Sequence, residues 1–68
     1  MSLLKIKELE NTREALQLNF ARLAELEQQL LDATCDHEIG MIADSLVSCE
    51  TTILELDTKI LVLENDLK

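Results

Sequence analysis

Residues 39–67 read IGMIADSLVSCETTILELDTKILVLENDL, and within them Ile39, Ile42, Leu46, Cys49, Ile53, Leu56, Ile60, Leu63 and Leu67 follow one another in alternating steps of three and four. Such a repeat averages 3.5 residues and gathers all nine side chains on one stripe of a slightly under-wound helix. The stripe is a coiled-coil seam, with Ile39, Leu46, Ile53, Ile60 and Leu67 at a positions and Ile42, Cys49, Leu56 and Leu63 at d positions. Apolar surface left in water costs roughly 25 cal/mol per Å². A seam this regular therefore requires a partner helix.

The nearest partner is the first half of the chain. Leu9, Leu16, Leu23 and Leu30 recur every seven residues, and Leu26 and Ala33 complete a d set whose earlier members are the polar Thr12 and Asn19. Ile6 and Phe20, at e positions, widen this stripe toward the face of a bundle helix. Asn19 is either a register device or a mark of lower burial, since Thr12 is polar on the same line. Leu30 and Ile39 are both a positions but lie nine residues apart, about half a turn out of phase on a continuous helix. The chain is thus expected to break in Thr34-Cys35-Asp36-His37-Glu38, with Thr34 or Asp36 as N-cap and with Asp36 and Glu38 favourable near a helix start.

These signals predict helix 1 over about residues 4–33, a turn at about 34–37 and helix 2 over about 38–67, in one all-α domain. Folding the chain back at residue 36 layers a against d: Leu9 with Leu63, Leu16 with Leu56, Leu23 with Cys49, Leu26 with Leu46 and Leu30 with Ile42. Asn19 with Ile53 and Thr12 with Ile60 are mixed layers. The same fold brings Arg13 near Asp57 and Glu64, and Glu8 near Lys59, while Glu55–Lys59 and Glu64–Lys68 have favourable spacing within helix 2. A single continuous helix is the alternative, carried by the rough line Phe20, Ala24, Leu31, Cys35, Ile39 across the break.

A 68-residue chain buries only about 60% of the surface its unfolded form exposes, so regular helix packing or oligomerisation is expected to make up the deficit. The net charge of −8 opposes binding to nucleic-acid phosphates and anionic membranes, and a single aromatic residue, Phe20, offers no stacking platform for bases. The imbalance is concentrated in residues 36–68, with two basic and eight acidic groups. Two cysteines at unrelated wheel positions make no disulfide framework, and no run of 18 apolar residues exists, so a cytoplasmic protein is expected.

Catalytic and ligand signatures are weak. Cys35-Asp36-His37-Glu38 gathers metal-ligating side chains in one turn, but a structural zinc site needs four ligands and the chain has no second cluster. A capped turn with a solvated histidine is the simpler reading, and a thin hairpin offers no cleft in which a cysteine nucleophile could be activated. Carboxylates spaced by two, as in Glu25/Glu27 and Glu64/Asp66, point apart on a helix, and one glycine cannot make a phosphate loop. No catalytic, cofactor or metal residue is expected.

What remains is apolar surface. Val47, Leu54 and Leu61 recur by seven at b positions, Ala24 and Leu31 hold the same wheel position on helix 1, and Phe20 lies beside them. The reading makes Phe20, Leu31, Val47, Leu54 and Leu61 an interaction face bordered by Glu50, Asp57 and Glu64, covered most simply by a second copy to give a homodimeric four-helix bundle, or else by a helix of a different protein. In length and plan the chain resembles small dimeric helical hairpins such as the plasmid RNA-binding Rop proteins and the small acidic hairpin chaperones of type III secretion. That resemblance covers pattern alone and carries over no residue, and the acidic charge opposes the RNA-binding case. The expected function is a non-enzymatic helical interaction module, such as a small adaptor, chaperone or regulatory subunit. The alternative is an acidic mimic that occupies a basic nucleic-acid-binding surface of another protein.

Overall fold

No proline interrupts either half of the chain and leucine is the commonest residue in both, with Glu, Ala and Gln frequent in the first, so nothing intrinsic stops two long helices from forming. In the computed structural model, which describes residues 2–68, α1 spans Leu3–Asp32 and α2 spans Asp36–Asp66. The described chain measures 52 × 14 × 13 Å. A 31-residue helix is about 46 Å long at ~1.5 Å per residue, whereas one uninterrupted helix through both segments would exceed ~90 Å. The length therefore belongs to an antiparallel hairpin, and the continuous-helix alternative is excluded.

The connection is shorter than expected. Ala33 and Cys35 are both extended, at φ −72°, ψ 137° and φ −108°, ψ 134°, and Asp36 already opens α2. The N-cap is accordingly Cys35, not Thr34 or Asp36, and no side-chain cap hydrogen bond forms there. The cap's carbonyl accepts the first helical bond, from the Ile39 N–H at 2.9 Å. Asp36 instead joins Glu38 in the first turn, where both carboxylates favour the positive end of the helix dipole.

The core follows the predicted seam but is divided in two. Near the free ends Leu9, Ile60 and Leu63 are buried, with Leu16 and Leu67 packed against them. Toward the turn Leu26, Ile42 and Cys49 are buried against Leu23, Leu30, Ala33, Leu46 and Ile53. Leu56 is half-buried and belongs to neither group. Ile39 is the one seam residue that is exposed, at 37%, because it faces the level at which α1 has already ended.

The two polar residues on the α1 seam resolve their own hydrogen bonding. The buried Thr12 hydroxyl donates to the Glu8 carbonyl at 2.7 Å, and the Asn19 amide donates to the Ala15 carbonyl at 2.8 Å. Asn19 also ties the helices together, since the Cys49 thiol donates to its backbone carbonyl at 3.3 Å. Among the described residues three ion pairs cross between the helices: Lys5–Asp66 at 3.8 Å, Arg13–Glu64 at 3.8 Å and Glu8–Lys59 at 3.2 Å. Lys59 and Glu64 are thereby engaged across the hairpin, not with the helix neighbours Glu55 and Lys68 that their spacing suggested. Arg13 selects Glu64, not Asp57.

Candidate interaction face

Helix geometry decides what the leftover apolar residues can do. The expected face residues Phe20, Leu31, Val47, Leu54 and Leu61 are all exposed, between 51% and 80%. Val47, Leu54 and Leu61 lie seven apart on α2 and form one row. At ~100° per residue that row sits about 130° round α2 from the centre of the buried seam, so it points away from α1. The carboxylates Glu50, Asp57 and Glu64 occupy the wheel position between this row and the seam, only about 70° from the seam centre. Glu64 marks their side of the hairpin, because it reaches Arg13 of α1.

Phe20 shares the wheel position of Arg13, seven residues on, and so lines the α1 side of the same groove. The carboxylate row therefore separates Phe20 from Val47, Leu54 and Leu61. Leu31 lies near the turn end of α1, on the outer side of that helix. The five residues do not merge into one continuous patch. The α2 row is its coherent part, and Met41 and Val62 are further exposed apolar residues on the same helix.

Two residues of this surface carry no signal in an apolar count. Thr51 and Thr58 interleave with the row, so that Val47, Thr51, Leu54, Thr58 and Leu61 follow in steps of four, three, four and three. Both hydroxyls turn back onto their own helix, Thr51 donating to the Val47 carbonyl and Thr58 to the Leu54 carbonyl, each at 2.9 Å. A threonine bonded in this way has its hydroxyl proton satisfied on its own helix. The same three-and-four rule that finds the inner seam finds this stripe once threonine is admitted as a seam residue.

The turn cluster has no comparable organisation. Cys35 and His37 are exposed, and among the described residues no group of three or more His, Cys, Asp or Glu side chains is placed to share a metal ion. The neighbouring backbone N–H groups of Glu38 and then His37, although short of a cap hydrogen bond, hold the Cys35 thiol below the ordinary cysteine range, partly offset by desolvation. Cys49 is buried and free, in keeping with a small core residue. The grooves of the hairpin are open; one near the turn is lined by Arg22, Leu26, His37, Met41 and Ser45. Among the described residues no helix is long and apolar enough to cross a membrane. No known family model, curated protein or solved structure matches this chain.

Proposed function

We propose that this chain is a non-enzymatic helical interaction module, an adaptor, chaperone-like or regulatory subunit that acts by offering a helix face to another helix. The observation that supports this reading is the outward row Val47, Leu54 and Leu61, at least 63% exposed along a helix whose opposite side is already buried. Apolar side chains repeated at heptad spacing on a water-facing surface are what a partner helix covers. The reading admits two occupants, a second copy closing a four-helix bundle or a helix of another protein. It places the protein's activity in the cytoplasm, without catalysis, cofactor or metal.

A photo-crosslinking amino acid at position 54, compared with one at Glu14 on the outer side of α1, tests the reading in the native cells. A discrete adduct from position 54 alone, with another copy or another protein, is the expected outcome. Adducts absent from position 54, or equal from both positions, overturn it. The acidic-mimic reading is favoured by the net charge of −8. It differs in its salt response, because charge mimicry fades as the Debye length falls below ~10 Å at 0.1 M salt, whereas apolar docking persists.

A further inference from the structure

We propose that the stripe Val47-Thr51-Leu54-Thr58-Leu61 is a second coiled-coil seam, and that its occupant is a basic amphipathic helix of another protein, not a second copy of this chain. The inference rests on the interaction-module reading and names its partner. Steps of four and three average 3.5 residues, so the stripe runs along α2 for about 21 Å, four turns, without drifting off one side. Burying it strands no side-chain donor. Its two hydroxyls are already bonded to the Val47 and Leu54 carbonyls, and its other three members are apolar.

The flanks decide the occupant. In a heptad frame built on this stripe, Glu50, Asp57 and Glu64 line one border, and Ser48, Glu55 and Val62 line the other. Every charge on either border is negative, and of these Glu64 alone is paired among the described residues of the hairpin, with Arg13. An antiparallel second copy would set Glu50, Asp57 and Glu64 against the same row of its mate, and a parallel copy would set Glu50 against Glu55. Like charges facing across a coiled coil disfavour the pairing. Nor can the mate neutralise them readily, because Lys5, Arg13, Arg22 and Lys59, four of the chain's six basic residues, are held in ion pairs on their own hairpin. A helix with apolar a and d residues and Lys or Arg on its e and g flanks satisfies both the stripe and its borders.

The test uses the full chain and three labelled 21-residue peptides, read by fluorescence anisotropy. One has Leu at a and d with Lys at e and g, the second replaces those Lys by Glu, and the third scrambles the first so that charge is kept and the heptad is lost. The proposal expects the Lys-flanked peptide alone to bind. Leu54→Ser should weaken it at least tenfold, Leu18→Ser on α1 should leave it unchanged, and Glu50→Lys with Asp57→Lys should transfer binding to the Glu-flanked peptide. Circular dichroism establishes that each variant keeps the wild-type helix content. Equal binding of the scrambled peptide, or indifference to Leu54→Ser, overturns the proposal. Sedimentation separates the two levels: a dimer broken by Leu54→Ser sinks this proposal but keeps the interaction-module reading, whereas neither peptide binding nor self-association through Leu54 sinks both.

Discussion

Leu26 is the most demanding point in the hairpin. It is 3% exposed, the deepest side chain of the core, and packs in the turn-proximal group with Ile42, Cys49 and their half-buried neighbours. Truncating a buried leucine to alanine costs ~2–5 kcal/mol, the spread reflecting how far the surroundings collapse into the space left. A core two helices thick is close to solvent on every side and can close partly over a void, so the lower half of that range, about 2–3 kcal/mol, applies to Leu26→Ala. At ~0.05–0.15 kcal/mol per residue the whole chain holds about 3–10 kcal/mol, so this one change removes a large share of it. For a chain of this size each 1 kcal/mol moves the melting temperature by ~4–8 °C, which predicts a fall of about 10–20 °C. Thermal melts followed by circular dichroism at low concentration read the effect directly. Leu31→Ala, at an 80% exposed position of the same helix, is the control and should change stability by no more than ~0.5 kcal/mol. If the two variants melt alike, Leu26 does not anchor a core and the antiparallel register is wrong.

Further predictions follow from single positions. Gly40 lies in the second turn of α2 with nothing within 4 Å of where a Cβ would stand, so Gly40→Ala should stabilise by ~0.5–1 kcal/mol, visible as a higher melting temperature. Thr12→Val should be neutral or slightly stabilising, since the Thr12 hydroxyl bonds only the Glu8 carbonyl, which already has its helical donor; a loss above ~1 kcal/mol in a denaturant titration would contradict this. Cys35 should alkylate faster than the buried Cys49 at neutral pH, and its rate–pH curve should move to higher pH when the helix is unfolded in urea. The sign follows from a folded-state pKa below the unfolded one: the thiolate's contribution to stability is present above the unfolded thiol range and is lost as pH falls through the folded value.

The inner seam was legible because aliphatic residues at strict heptad spacing leave one geometric solution, and eight of its nine members are buried or half-buried. Its ninth, Ile39, shows where pattern stops informing: whether an end residue is covered depends on where the opposite helix terminates, and α1 ends at Asp32. The N-cap residue differs from expectation for a related reason. Residues 34–38 contain two good capping types, Thr34 and Asp36, either side of Cys35, and the cap falls to Cys35 because the chain reverses in the residues right after Asp32. Asn19 and Thr12 looked like defects of the layering, yet both satisfy themselves against the preceding turn of α1. A polar residue on a seam is judged by its bond to residue i−4 as well as by its partner across the interface.

The exposure of Phe20, Leu31, Val47, Leu54 and Leu61 was legible in the heptad pattern, and their disposition is a matter of angle. A b position reads on the page as a neighbour of the seam, yet at ~100° per residue it lies about 130° away, nearer the back of the helix than its flank. The carboxylate row, at about 70°, lies between the α2 row and the groove beside Phe20. Once that row is put in place, the two sides of α2 take distinct tasks. The inner seam closes the hairpin with its flanking charges paired across it, as in Lys5–Asp66, Arg13–Glu64 and Glu8–Lys59, while Glu50, Asp57 and Glu55 beside the outer stripe have no such pairing among the described residues of the hairpin. A helix apolar on opposite sides cannot bury both against a single neighbour. In this hairpin the second side of α2 is turned outward, and its fringe of like charge makes a copy of itself a poor match.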